Sequence, residues 1–313
     1  MLIISRALAG FGSANISAAT AYIADITPPE KRTKSMGIIG AAFGLGFIFG
    51  PPIGGFLMQE YHSLFPVGIL AMSLCLLNLG LIFFKLPESL KNKGKGKRPG
   101  FIESNIRAFK ELHTPVIGRI LWLNFLFVAA FSMMQVTSTL LWEGIYDISK
   151  KEVGYIFAFI GLVAAIVQGG LLGKLTASFR EHSLVYTGWI LMAIGLGCMP
   201  FLPKDNFWYP NLLLMGMLAF GNACITPVFT SMISKKTDAQ HQGRLMGTVQ
   251  SFGALGRIIG PVIGGGLYQI MYQLPFATAG TIMLVSLLGI SGLFKQYNAS
   301  NLFMDSENKK ELI

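Results

Sequence analysis

The chain has 313 residues, of which 52% are hydrophobic and only 13% charged, with a mean hydropathy of +0.57. That balance excludes a soluble globule of ordinary kind. The net charge of +10 lies in short basic loops between apolar runs, which describes membrane-facing loops and excludes a nucleic-acid-binding face.

A bilayer core about 30 Å thick takes about 20 apolar residues per helix. Nine segments meet that length, near residues 1–25, 34–59, 65–86, 116–142, 152–174, 183–202, 207–233, 243–271 and 275–295. The expected fold class is an all-α polytopic membrane protein, with its termini on opposite sides. Basic residues are retained in the cytoplasm. Lys31, Arg32 and Lys34, the run from Lys85 to Arg119, Lys174 with Arg180, Lys235, Lys236 and Arg244, and the tail lysines Lys295, Lys309 and Lys310 all follow odd-numbered spans. The alternate loops hold only Lys150, Lys151 and Lys204. The C-terminus is therefore expected in the cytoplasm and Met1 outside. Cys75, Cys198 and Cys224 are scattered in apolar runs and imply neither a disulfide framework nor a metal site. No basic leader with a small-residue cleavage pattern precedes the first apolar run.

The first span ends at Thr27, before Pro28 and Pro29 break it. Arg6 within it costs roughly 2.5–3.5 kcal/mol on insertion scales, so it needs a partner, a wet cavity or a route to the outer interface. Asp25, at the cytoplasmic end, needs a cation or a helix N-terminus. The second span carries the pattern G-x8-G-x3-G-P-x2-G-G in Gly37, Gly46, Gly50, Pro51, Gly54 and Gly55. Gly247, Gly256, Gly260, Pro261, Gly264 and Gly265 repeat every term 210 positions later. Gly46, Gly50 and Gly54 recur every fourth residue on one helix face, where missing side chains let a neighbouring backbone approach. Pro51 bends the helix and frees a carbonyl. A doubled pattern of this length points to two related halves.

In the third span Asn78 can make a helix-to-helix hydrogen bond or line a cavity. Lys91–Arg98 reads as a mobile basic linker, and Phe101, Ile102, Ile106, Phe109 and Leu112 as an amphipathic helix on the inner leaflet, ended by Pro115. The chain thus divides into an incomplete N-terminal half (1–86), a cytoplasmic linker (87–115), a six-helix C-terminal half (116–297) and a polar, disordered tail (298–313). Trp142 ends the fourth span as an interfacial aromatic. After the fifth, Gly173, Lys174 and Arg180 form a charged turn suited to a gate between halves. Arg257, near the middle of the eighth span, is too deep to snorkel and calls for a cavity or a partner.

These residues resemble the major facilitator superfamily, and within it the drug/proton antiporters that include the tetracycline exporters. The doubled glycine pattern resembles the antiporter signature of that family's fifth helix. Arg6, Gly10 and Gly12 resemble the R-x3-G-x-G signature of its fourth helix, and Ala24-Asp25-Ile26-Thr27 with Glu30-Lys31-Arg32 is similar to the loop joining the two. The resemblance implies a helix bundle in which the nine spans stand for helices four to twelve of twelve. The first three are expected to be lacking through a truncated gene, a misplaced start codon or fragmentation, which leaves Asp25 short of its usual Arg partner. It also implies that the fourth and seventh spans line a central cavity. Asn124, Gln135, Asn222, Thr226 and Arg257 are then candidate substrate contacts, and Arg6, Asp25, Gly173 and Arg180 candidates for coupling or gating. Tetracycline exporters carry an Asp in the ninth helix; the sixth span here has no acid, so tetracycline itself is not the expected substrate.

The expected function is export of hydrophobic or amphiphilic drugs in exchange for protons by alternating access. The expected setting is a monomer in the bacterial inner membrane, with a small-molecule substrate, protons and lipid as partners and no nucleic acid, metal or cofactor. The alternative is a truncated, non-transporting membrane paralogue or an inactive fragment. An intramembrane enzyme is a poor third, because no buried histidine, paired carboxylates or activated nucleophile is visible. The acids lie in loops or near span ends and His62, His113, His182 and His241 outside spans, so proton coupling would depend on the lacking helices.

Overall fold

The computed structural model describes residues 9–10, 15–89, 115–237 and 242–311, and among them every regular element is a helix. Arg6, Gly12, the basic linker and the amphipathic segment lie outside the described residues. Helix α1, Asn15–Ile26, stops ahead of Pro28 and Pro29. A 3-10 turn, Pro29–Lys31, leads into α2, Arg32–Tyr61, which runs on through Pro51 and Pro52 and ends at His62 with a left-handed φ of 46°. α3, Phe65–Lys85, has Pro66 in its first turn, where a missing N–H costs nothing. α4 spans Pro115–Ile145.

A capping box opens α5, Lys150–Ile166: Ser149 Oγ accepts from the Glu152 amide, while Glu152 Oε2 accepts from the Ser149 amide at 2.8 Å. A π turn, Val167–Leu171, joins it to α6, Leu172–Ser178. α7 is Glu181–Cys198, α8 Trp208–Lys235, α9 Gln242–Ile270 and α10 Leu274–Glu311.

Seven described helical stretches are long and apolar enough to cross a membrane, and the protein is an all-α membrane protein. Two of the expected spans fall short of that measure. Only 12 residues of α1 are described. α9 has 29 residues, but its glycines, Gln250, Ser251 and Arg257 dilute its apolar character. The tail also differs from expectation: α10 continues to Glu311. No proline or glycine follows Gly292 to stop it.

In a bilayer, apolar surface gains little by leaving lipid for protein, so close packing and hydrogen bonds hold helices together. Helices α4 to α10 have both. α4 lies along α9 and α10, and α7 along α8 and α10, around a core of Leu121, Met133, Trp142, Trp189, Met192 and Phe276. Where α7 crosses α8, a Cβ on Gly221 would stand 2.6 Å from the Gly188 carbonyl oxygen. Helices α1 to α3 are packed more loosely. α1 runs along α9, and α2 along α5 and α8, whereas α3 rests on α2 and buries none of its residues.

Candidate functional site: a latch joining α2 to α7 and α8

The start of α2 meets the start of α7 and the end of α8 at the basic end of the bundle, which carries Arg32, Lys34, Lys174 and Lys235. Arg32 Nε donates to the Thr27 carbonyl at 3.2 Å, and its Nη1 crosses to the Ser234 carbonyl of α8 at 2.9 Å. A helix C-terminus carries partial negative charge, which suits a guanidinium. Gln242, 1% exposed at the start of α9, donates to the same Ser234 carbonyl at 2.8 Å. Next along α2, the buried Thr33 donates its hydroxyl to Glu181 Oε1, and Lys235 Nζ donates to the same oxygen at 2.7 Å. Glu181 opens α7, whose N-terminus favours an anion. The Lys235 and Glu181 side chains are 21% and 25% exposed, so their ion pair alone is worth no more than about 1 kcal/mol. Its importance lies in holding Glu181 for Thr33 of α2.

Deeper in, α2 is pressed against α5. A Cβ on Gly37 would stand 3.1 Å from the Gln168 carbonyl oxygen, and one on Gly40 would collide with the Gln168 side chain. Gln168 lies in the π turn and is 6% exposed; its Nε2 donates to the Ala223 carbonyl of α8 at 3.2 Å, while its Oε1 is buried without a hydrogen-bond partner. One side chain therefore touches α2 and α8 from an irregular turn of α5, a kind of turn common at functional sites. At Gly44 and Gly161 the backbones meet, a Cβ on either standing 2.7 Å from the other's carbonyl oxygen. Phe47 stacks on Phe157 with ring centroids 6.5 Å apart. Beyond Phe47, on the same face, no described atom lies within 4 Å of a Cβ on Gly55.

The expected cavity residues are spread over three helices. Asn124 and Gln135 are half-buried on α4, Asn222 is half-buried and Thr226 exposed on α8. Thr226 Oγ1 donates to Asn222 Oδ1 at 3.0 Å, so these two are brought together. Arg257 is exposed on α9 with its Nη1 3.5 Å from where a Cβ on Gly253 would be. Among the described residues no hydrogen bond or ion pair joins Arg257 to the other four.

Of the expected gating residues, Gly173 takes the Lys34 stem, whose Cδ would be 2.9 Å from a Cβ there. Arg180 is exposed, and its carbonyl accepts from the Ser183 amide at 3.0 Å. Asp25 Oδ2 accepts from Ser89 Oγ at 2.9 Å, and its Oδ1 is buried without a hydrogen-bond partner. Trp142 departs from the interfacial expectation. It is wholly buried, with Nε1 donating to Asn211 Oδ1 at 3.1 Å and Phe157 of α5 packed across it. Arg32, Thr33, Gln168, Glu181, Lys235 and Gln242 were not anticipated as a group. Glu181 lies just ahead of the expected span 183–202 and was not singled out there.

The family-wide sequence pattern of the Major Facilitator Superfamily matches residues 1–205 and 170–301. Among curated proteins, major facilitator superfamily domain-containing protein 10 of Bos taurus is 28% identical over 318 residues, covering 89% of this chain and 66% of that protein. Multidrug resistance protein 2 of Bacillus subtilis is 29% identical over 296 residues, covering 93% of this chain and 72% of its own length. Among solved structures, the crystal structure of the human organic anion transporter MFSD10 is similar with a TM-score of 0.77 at 26% identity, over 92% of this chain and 70% of that one. The chain thus spans about two thirds of the length of the bovine relative, 66%.

Proposed function

Because the chain belongs to the Major Facilitator Superfamily, we propose that it works as a secondary transporter of small amphiphilic organic compounds, by rocking of two helix halves about a central site. The observation that carries this reading is the one-ended seam. α2 is latched to α5, α7 and α8 through Arg32, Thr33, Gly40 and Gly44, and is free of described contacts at Gly55, further along the same face. Alternating access needs halves that can exchange contacts at one end for contacts at the other. The halves are 1–86 and 116–297, joined by the linker 87–115. With the basic end and the C-terminus in the cytoplasm, this conformation is closed inward.

Asn124, Gln135, Asn222, Thr226 and Arg257 are the proposed substrate contacts, and Arg6, Asp25, Gly173 and Arg180 join the latch in gating. A fixed guanidinium within a span favours substrates with an anionic group. Likeness to the Bacillus multidrug resistance protein supports drugs as substrates, and likeness to the human organic anion transporter supports organic anions. Membership of the drug/proton antiporter branch, and exchange for protons, rest on the glycine signature.

Liposomes holding the chain should accumulate carboxyfluorescein faster than protein-free liposomes and respond to an imposed proton gradient. Arg257→Gln should lower that flux about tenfold, the equivalent of about 1.4 kcal/mol. Flux equal to that of empty liposomes would sink the reading.

A further inference from the structure

Pro227 leaves a gap in the hydrogen-bond ladder of α8. It has no N–H to give the carbonyl of Ala223, four residues earlier, and a proline in a helix interior also favours a bend. Ala223 is wholly buried, so its freed carbonyl cannot turn to water. It has a donor from another helix instead: Gln168 Nε2 of the π turn reaches it at 3.2 Å. Thr230 Oγ1 donates to the Thr226 carbonyl at 2.9 Å, a back-bond that favours bending at the same place. A side chain of α5 is thus laid across α8 where the backbone bond is missing.

The turn that supplies Gln168 is itself irregular. Its closing bond runs from the Leu172 amide to the Val167 carbonyl, five positions back in place of the usual four. Gln168 is 6% exposed, and its Oε1, without a hydrogen-bond partner, lies where a Cβ on Gly40 of α2 would be. One turn earlier on α2, Gly37 closes on the Gln168 carbonyl. α2 is therefore the wall behind this side chain. The gap also divides α8 by task. On one side of it stand Asn222 and Thr226; on the other, the Ser234 carbonyl takes Arg32 of α2 and Lys235 holds Glu181.

We propose that Gln168 is a positioning residue for alternating access: its Nε2–H stands in for the N–H that Pro227 lacks, and it splints α8 only while α2 is seated against it. When α2 withdraws, the side chain loses its backing and swings from the Ala223 carbonyl. α8 then bends at Pro227, and the segment 228–235 carries Ser234 away from Arg32. Asn222 and Thr226 lie on the turn beside the gap, so a ligand that pulls on them works on the joint that carries the latch. The splint stands on its own geometry; its task in transport rests on the reading of the chain as a transporter.

The test is a double-mutant cycle in nanodiscs, in a Cys75→Ser, Cys198→Ser background, with Cys224 as the reporter. Cys224 is wholly buried and packs beside Val167 and Leu184. Gln168→Leu nearly keeps the size of the side chain and removes its donor, and a water-soluble maleimide should then label Cys224 about five to ten times faster. Pro227→Ala gives the Ala223 carbonyl a backbone donor, and in that background Gln168→Leu should change the rate by less than about twofold. An equal rise in both backgrounds overturns the splint, because Gln168 would then act through packing alone. Gly40→Ala keeps both residues but pushes Gln168 off its seat, and should raise the rate about fivefold. An unchanged rate there overturns the role of α2 as the wall, whether or not Pro227→Ala folds. In liposomes Pro227→Ala should slow carboxyfluorescein uptake about fivefold, while the concentration giving half the maximal rate stays within about twofold. Uptake at the parent rate overturns the task of the joint in transport. A parent chain that moves no dye sinks the transport reading, and a non-additive labelling cycle then still supports the splint.

Discussion

The two glycine copies share every term of their pattern, yet they are filled in opposite places. In α9 the row Gly256, Gly260 and Gly264 is packed against α4, while no described atom comes within 4 Å of a Cβ on Gly247. In α2 the matching Gly46, Gly50 and Gly54 are bare, while Gly37, the counterpart of Gly247, is pressed against Gln168 and Leu172. The motif therefore carries two separate contact surfaces, one at its first glycine and one along the i+4 row. Each copy shows one of them occupied among the described residues. A row of glycines encodes the ability to be approached; the neighbour that approaches is decided elsewhere in the chain.

Four substitutions in detergent micelles can break that comparison, and they carry the largest expected effects. Gly260→Leu drives a side chain into the Ala129 backbone and should cost about 3 kcal/mol of resistance to unfolding. Gly50→Leu, with open space around it, should change stability by less than about 0.5 kcal/mol. At the other end of the motif the order should reverse. Gly37→Val would thrust against Gln168 and cost about 2 kcal/mol, whereas Gly247→Val should be close to neutral. Heat- or dodecyl-sulfate-induced unfolding reads all four. Equal losses within either pair would show that the two copies are filled alike.

The helices were legible because apolar runs and proline stops act locally, and the repeat was legible because its spacing is preserved term by term. Which glycines would be filled was not, since that depends on helices far away in sequence. The same limit hid the latch. Thr33 and Glu181 are 148 positions apart, and Arg32 and Lys235 look in the sequence like ordinary cytoplasmic charges. Asn222 and Thr226 met because four positions along a helix make one face, a local rule. Trp142 misled for the opposite reason. Its place at a span end suggested lipid headgroups, but Asn211 gives its indole N–H a buried acceptor and Phe157 covers its ring. The π turn at Val167–Leu171 left no advance sign beyond Gly169 and Gly170, although it is what turns Gln168 between α2 and α8.

An intermediate effect is expected at the latch, and it sharpens the claim that α2 is held at its Arg32 end only. Arg32→Ala removes the bond to Ser234, whose carbonyl keeps the Gln242 donor at 2.8 Å and the Thr237 amide at 3.2 Å. The loss should be about 1–1.5 kcal/mol, felt as a shift toward the unlatched arrangement more than as unfolding. The native thiol of Cys224 reports it. It is buried on α8 beside Ala223, whose carbonyl receives Gln168. In a Cys75→Ser, Cys198→Ser background, a water-soluble maleimide should label Cys224 about five to ten times faster in Arg32→Ala than with Arg32 intact. An unchanged rate would mean that the Gly40 and Gly44 contacts hold α2 without help from the latch.

The smallest effect belongs to the end of the second half away from the latch. There the Tyr146 hydroxyl donates to the Leu202 carbonyl at 2.9 Å and its ring lies 4.7 Å from that of Phe207. This contact joins elements within one half, so Tyr146→Phe should lower stability by no more than about 1 kcal/mol at neutral pH and leave Cys224 labelling unchanged. Burial, reinforced by Tyr272 and opposed by the bond to Leu202, raises the phenol above its ordinary pKa of 10.0. The folded chain then keeps this proton to higher pH than the unfolded chain. The stability it confers is complete below 10.0 and is lost as pH rises through the folded-state value. Tyr146→Phe has no such proton to lose, so the gap between the two proteins should narrow above pH 10.0. A gap that stays constant with pH would mean that the hydroxyl is solvated in the folded protein and that Tyr146 holds the loop by its ring alone.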